Sequence, residues 1–362
     1  MLLKTIQLIL RIKNRESLIK NYTMIDLRSD TLTKPTKEML EFMMQAPVGD
    51  DVFGEDPSVN MLEEKAATLF GMEKAIYCPS GTMTNQIAIK VHTQPGDEVI
   101  CDRASHIYNF EGGGVAFNSS ASVRLLSGDR GRFTAKDVEE NINPHDIHHS
   151  VSRLVEVENT VNRGGGSYYS FEELKRIDGV CKKHGLSYHL DGARLFNALA
   201  ETSETPAEYG QLFDSISICL SKGLGAPVGS LLLGTSDFID KARRVRKVFG
   251  GAMRQAGYLA AAGIYALDNH IERVKDDHAK AKILGNALKE LPFVSEVMPV
   301  DTNIVIFSLR QGISEDEFLK KIRENGLLVH PIGKNSIRLV THLDFTESML
   351  EESIRILKKK QL

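Results

Sequence analysis

The 362-residue chain has no tryptophan, four cysteines and no long apolar run. The lack of about 18 consecutive apolar residues argues against a transmembrane helix. Cys78, Cys101, Cys181 and Cys219 form no CxxC pair, which argues against a zinc site or a disulfide framework. Cys78 and Cys219 sit in apolar stretches, as small buried hydrophobes do, and a reducing compartment is expected. Charge of one sign is not in excess either: Lys plus Arg number 45 against 48 Asp plus Glu. This balance gives no electrostatic case for nucleic acid or an anionic membrane as partner. What remains is ordinary for a globular protein, with 42% apolar and 26% charged residues. The length suits a large domain with a smaller one. The 29 glycines suggest tight turns and close backbone approaches.

The first 23 residues are read as a separate basic leader. Lys4, Arg11, Lys13, Arg15 and Lys20 face a single acid, Glu16, and Leu2, Ile6, Ile9 and Ile12 recur at helical spacing. That pattern describes a mitochondrial presequence, although it is poor in serine. A disordered extension or an upstream start ahead of Met24 is the preferred reading. The expected location is the cytoplasm, or the mitochondrion if the leader is a presequence.

From Met24 onward, strands and helices alternate. Ala75–Cys78 is a short apolar run before Pro79-Ser80-Gly81-Thr82 and a helix to about Lys90. Glu98–Cys101 and Ser152–Val157 are further strands. Ser170-x-x-Glu173 predicts a capping box, opening a helix that ends near Gly185. Ser187–Leu190 delivers Asp191, Phe213–Leu220 delivers Ser221 and Lys222, and Gly229–Leu233 follows. This predicts an α/β fold, a mostly parallel sheet covered on both faces. Leu267–Leu288 reads as one long charged helical region. Asn303–Leu309, a helix capped by Ser314-x-x-Glu317, Ser336–Thr341 and a helix over Glu347–Lys360 then suggest a smaller α+β domain. The expected division is 24–270 and 271–362.

Asp191 and Lys222 each end an apolar strand, where ligands bind in open α/β sheets. A plain ion pair is the ordinary reading. A lysine at the edge of buried space is also a nucleophile, and with a carboxylate for a pyridinium nitrogen it matches what pyridoxal phosphate requires. Ser80-Gly81-Thr82, between strand and helix, is either an ordinary N-cap or a phosphate cradle. His106 lies near a strand end, where an imidazole can stack on a flat cofactor. Arg194 and Arg338 carry forks suited to a carboxylate. Arg243–Lys247 reads as a solvated helix face. His145, Asp146, His148 and His149 share a polar loop whose spacing matches no standard metal-ligand set, and no metal is expected. Gly223-x-Gly225 lacks the rest of a dinucleotide fingerprint.

Several longer motifs occur in order. They are Ile25–Thr31 (IDLRSDT), Val48–Pro57 (VGDDVFGEDP), Ser80–Thr82, His189–Asn197 (HLDGARLFN), Ile218–Ser230 (ICLSKGLGAPVGS), Gly250–Gln255 (GGAMRQ) and Ile337–His342 (IRLVTH). From Met24 to its end the chain resembles the low-specificity L-threonine aldolases, which depend on pyridoxal phosphate. The resemblance implies a three-layer fold-type I architecture and a tetramer with active sites at subunit interfaces. It implies that Lys222 forms the Schiff base with the cofactor and that Asp191 pairs with the pyridine nitrogen. Ser80, Gly81 and Thr82 would hold the phosphate beside Ser221, with Arg254 reaching a phosphate across a subunit boundary. His106 would stack on the ring, and Ser29, Arg194 and Arg338 would grip the substrate carboxylate. His148 matches a second histidine near the substrate hydroxyl, and the base that takes the hydroxyl proton is left open among His106, His148 and an ordered water. The family's usual Glu-Asn-Thr-His-Asn reads Glu158-Asn159-Thr160-Val161-Asn162 here, so that histidine's role does not carry over. The implied reaction is retro-aldol cleavage of a β-hydroxy-α-amino acid, L-threonine or L-allo-threonine, to glycine and acetaldehyde. β-Elimination, transamination and a non-catalytic relative are the alternatives.

Overall fold

The computed structural model describes residues 24–359; the leader read at 1–23 lies outside them. β1 (Ile25–Asp26) opens the described chain. β2 (Lys74–Cys78), β3 (Asp97–Asp102), β4 (Ser122–Leu126), β5 (Val151–Glu158), β6 (Ser187–Gly192), β7 (Ser215–Cys219) and β8 (Ser230–Gly234) form a seven-stranded sheet in the order β2-β8-β7-β6-β5-β3-β4. Pairing is parallel from β7 through β6, β5 and β3 to β4, and β8 alone runs against its neighbours.

Helices cover both faces, which explains the nearly continuous apolar strands. On β2 and β8, Ala75, Tyr77, Leu231 and Leu233 enter the main core, while Ile76, Cys78 and Leu232 pack on the other face with the helices Gly81–His92 and Ser236–Val248. The three central strands break that rule on this second face. There β5 carries Glu156 and Glu158, β6 carries His189 and Asp191, and β7 carries Ser215 and Ser217, all buried. Alternation thus gives the sheet one apolar face and a polar central stripe on the other.

A second, antiparallel sheet has the order β12-β13-β10-β9, from β9 (Val294–Val297), β10 (Ile304–Leu309), β12 (His330–Gly333) and β13 (Ser336–Val340). It forms a small domain with its own apolar core. β11 (Leu327–Leu328) pairs not with that sheet but with β1, Ile25 opposite Leu327 and Asp26 opposite Leu328. Ile25 and Leu27 accordingly pack in the small domain's core. The first described strand is thus part of the small domain.

Local expectations differ from the structure in three places, one being that Arg246, in the run read as a solvated helix face, is buried and donates to Asp51 and the Tyr77 carbonyl. The helical region expected over Leu267–Leu288 is two helices, Gly257–Asn269 and Val274–Lys289, broken at His270–Arg273. His270 turns its Nδ1 toward the Leu224 carbonyl at 2.7 Å. At Ser170 the capping box is half made: Ser170 accepts from the Glu173 N–H, but the Glu173 carboxylate accepts from the Ala135 N–H instead. All four cysteines are free and buried. No helix among the described residues is long and apolar enough to cross a membrane.

Candidate active site

The strands β2, β3, β5, β6 and β7 share one direction, so their C-terminal ends lie along one edge of the sheet. Five sequence-read positions, Ser80, His106, Asp191, Ser221 and Lys222, lie at or just after those ends. Ser80 caps the helix Gly81–His92 after β2, its Oγ accepting from the Met83 N–H. His106 opens a short helix after β3. Glu158 ends β5 in register with Asp191 on β6. Ser221 and Lys222, both half-buried, follow β7.

Gly81 is required by space. A Cβ there would lie 2.6 Å from Cys219 Sγ at the end of β7, so only glycine lets the helix start this close to the sheet. Ser80 and Thr82 are exposed at this terminus, where N–H groups and the helix dipole favour an anion.

Asp191 is buried, and both its oxygens are held. Oδ2 accepts from Asn85 Nδ2 at 2.8 Å and Oδ1 from the Ala193 N–H at 3.1 Å. Asn85 Nδ2 also donates to Glu111 Oε1 at 2.9 Å, and that oxygen meets His106 Nδ1 at 2.9 Å. Burial disfavours a charge on His106, but Glu111, Asp191 and Glu158 outweigh it and raise its pKa. Since Nδ1 faces Glu111, Nε2 is the ring nitrogen left for other work. Glu158 accepts N–H bonds from His106 and from Asn162, both at 2.9 Å. Burial, with Asp191 beside it, lifts its pKa to about 7.

The substrate-side residues come together from three parts of the chain. Arg194, ahead of the helix Leu195–Glu201, donates from Nε and Nη2 to Asp30 at 2.7 and 2.6 Å. Two of the donors expected for a substrate carboxylate are thus committed to Asp30. Arg338, on β13, donates to Asn162 Oδ1 at 2.7 Å and to the Arg28 carbonyl at 3.0 Å, and its buried Nε has no protein partner. Burial and the nearby Arg194 lower its pKa to about 10. Ser29, half-buried, caps the single turn that carries Asp30.

Two sequence-read residues stand apart within the chain. His148 is exposed in the loop before β5, at the opposite end of that strand from Glu158. The strand is eight residues long, on the order of 25 Å. Arg254 is 62% exposed, donates to Asp50 at 2.7 Å and lies over the Phe53 ring. Val161, where the resemblance expects histidine, is buried in the main core, so that position serves packing.

The comparisons with known proteins agree with this geometry. A family model described as Beta-eliminating lyase matches residues 26–311. Over 332 residues the chain is 43% identical to a low specificity L-threonine aldolase of Escherichia coli, covering 91% of this chain and 97% of that one. It is 40% identical over 303 residues to the low specificity L-threonine aldolase of Saccharomyces cerevisiae, covering 82% and 77%. The chain belongs to the low-specificity L-threonine aldolase family. Its fold is similar to that of a threonine aldolase of Leishmania major, with a TM-score of 0.80, 23% identity and coverage of 92% and 98%.

Aldolases of this family are lyases that use pyridoxal 5'-phosphate, and the donor set here fits that group. The helix terminus at Ser80–Thr82 suits a phosphate, the doubly anchored Asp191 carboxylate suits a protonated ring nitrogen, and Lys222 supplies an amine at the same sheet edge. Reading the sequence missed Asp30, Asn85, Glu111 and Glu158 as parts of the site. Asp30 and Glu158 lay inside motifs already singled out. Glu111 opened a glycine run. Asn85 gave no signal, because its partner Asp191 is 106 positions away.

Proposed function

We propose that this chain catalyses retro-aldol cleavage of L-threonine and L-allo-threonine to glycine and acetaldehyde, with Lys222, His106 and Asp191 as the residues at the chemistry. The observation that carries this reading is the convergence of Lys222, the His106 imidazole and the anchored Asp191 carboxylate at one sheet edge, next to an anion-binding helix terminus. Bound pyridoxal phosphate supplies the electron sink. Ser80, Gly81, Thr82 and Ser221 receive its phosphate, Lys222 anchors it through its amine, and Asp191 keeps its ring nitrogen protonated. Arg338 and Ser29 orient the substrate carboxylate, with Arg194 held behind them by Asp30. This orientation selects the Cα–Cβ bond for cleavage. His106 Nε2, with Nδ1 fixed by Glu111, accepts the β-hydroxyl proton.

Arg254 and His148 have work only between subunits on this reading. Arg254 lies over the Phe53 ring, and Phe53, Met44 and Val248 are 72%, 78% and 82% exposed, large apolar groups of the kind an oligomer covers. We therefore infer a homotetramer with sites at subunit boundaries, Arg254 serving a neighbour's phosphate and His148 a neighbour's substrate. The division at about residue 270 is kept, with β1 reassigned to the small domain. A small amino-acid substrate and a cytoplasmic setting complete the proposal, with no nucleic acid or membrane partner.

The test is incubation with L-threonine and L-allo-threonine, scoring acetaldehyde and glycine, with Lys222→Ala as the control. Ammonia or a keto acid in place of acetaldehyde would replace this reading with β-elimination or transamination. The first of these has support in the family model's description. Activity surviving Lys222→Ala would overturn the mechanism.

A further inference from the structure

The polar stripe on the sheet's second face contains a continuous hydrogen-bonded chain. It starts at Asp191 and ends at His92, the last residue of the helix Gly81–His92. The links are Asn85 Nδ2 to Asp191 Oδ2 at 2.8 Å, His189 Nε2 to Asn85 Oδ1 at 3.2 Å, His189 Nδ1 to Ser215 Oγ at 2.8 Å, and Ser215 Oγ to His92 Nε2 at 2.8 Å. His92 stacks on Phe238, ring centroids 4.7 Å apart, which fixes the plane of its ring.

The chemistry of each group fixes the direction of every link. Carboxylates only accept, so the Asn85 nitrogen must face Asp191 and Glu111, and its carbonyl must face His189. A carbonyl also only accepts, so His189 carries its proton on Nε2. Burial lowers the His189 pKa to about 4; the ring is neutral and Nδ1 is a lone pair. Ser215 has one hydroxyl hydrogen, and that lone pair takes it. Toward His92 the Ser215 oxygen can only accept, so His92, also kept neutral by burial with a pKa of about 3, is protonated on Nε2. All four donors point toward Asp191. The other ionisable groups facing the chain are Glu111, His106 and Glu158 at its near end, Glu156 in register with His189 on β5, and Lys241 near His92.

We propose that this directed chain is a positioning relay, in which His189 and the remote His92 hold Asp191 ionised and aimed at the cofactor's ring nitrogen. Aligned hydrogen bonds polarise one another in a low-dielectric interior, so each donor in the series strengthens the last one, on Asp191. The proposal rests on the pyridoxal-phosphate reading above. His92 touches neither cofactor nor substrate, and acts only through Ser215, His189 and Asn85.

The test uses the holoprotein and needs no turnover. Neutron diffraction from deuterated crystals of the unsubstituted protein should show deuterium on His189 Nε2 and His92 Nε2 and none on His189 Nδ1; deuterium on His189 Nδ1 overturns the relay. Cofactor affinity and the pH midpoint of the bound cofactor's visible band are then compared in His92→Leu and His92→Gln. Leucine fills the ring's place without a donor and should weaken cofactor binding about three- to tenfold and move the midpoint. Glutamine keeps an N–H for Ser215 and should restore both. A His92→Leu protein that melts earlier but keeps parental affinity and midpoint assigns His92 to packing and overturns the proposal. Absence of cofactor binding by the unsubstituted protein would instead sink the functional reading, and the deuterium positions would still decide the relay.

Discussion

Arg194 and Asp30 form a two-point ion pair in which the Asp30 side chain is fully buried and that of Arg194 is 5% exposed. The pair joins the turn after β1 to the large sheet, and on the proposed function it lies beneath the substrate carboxylate. Burial alone would raise the Asp30 pKa, but the charge and hydrogen bonds of Arg194 bring it down to about 2 from 3.8. A depressed carboxyl pKa stabilises the fold fully above the unfolded value and loses that contribution as pH falls through the folded one. The stability supplied by the pair should therefore decline between about pH 4 and pH 2. Asp30→Asn leaves Arg194 charged and buried and should cost about 3–5 kcal/mol at neutral pH. Thermal melts against pH check both statements: the substituted protein should melt earlier at pH 7, and the gap should narrow toward pH 2.

Glu158 should set an acid limb in the pH dependence of kcat/KM. As a carboxylate it accepts the N–H groups of His106 and Asn162, and Asn162 in turn orients Arg338. Its pKa is raised to about 7, first by burial and then by Asp191, so the accepting form is lost on going below neutrality. The fold favours the protonated form between the ordinary value of 4.5 and about 7, and stability on this account falls as pH rises through that window. Glu158→Gln should flatten the limb near pH 7. An unchanged profile would show that the group titrates without consequence for the site.

The closeness of Gly81 to Cys219 can be measured as a coupling. Gly81→Ala places a methyl 2.6 Å from Cys219 Sγ, an overpacking that costs about 1–3 kcal/mol and should push the phosphate-binding turn outward. Cofactor affinity and melting temperature should both fall. Cys219→Ala removes the sulfur, so the double variant should recover much of the loss. Additive effects would mean that the two positions do not collide.

Arg338 should control substrate binding more than the chemical step. Arg338→Lys keeps a charge but loses the planar fork. A loss of about 2 kcal/mol corresponds to roughly a thirtyfold rise in KM for L-threonine, with a smaller change in kcat. Steady-state kinetics on acetaldehyde release separates the two.

Much of the sheet edge was legible beforehand because buried parallel strands are short apolar runs, and a polar residue at the end of one is conspicuous. Asp191 and Lys222 stand out for that reason. β1 did not stand out, since two residues are too few to show a period, and its pairing with β11 spans the chain. The break at His270–Arg273 was hidden because the charged, helix-forming composition continues through it. Glu173 matched a capping box but found a better partner in Ala135 from another helix. Asn85 was invisible for the same reason in reverse: an asparagine inside a helix says nothing until the fold brings a carboxylate to it. His148, placed in the site by the resemblance, lies in the loop before β5, at the sheet's other edge.

β1 gives the small domain a hold on the site. Two residues bind it to β11 and Leu27 packs in the small domain's core, and three positions later Asp30 grips Arg194 beside the large sheet. Arg338 joins the same segment from the other side through the Arg28 carbonyl. The strap is one of several links between the two domains, beside Arg130–Asp301 and His278–Asn197, and it is the one that reaches Arg194. A substitution that slackens the strap should therefore loosen the Asp30–Arg194 pair without touching a reacting group.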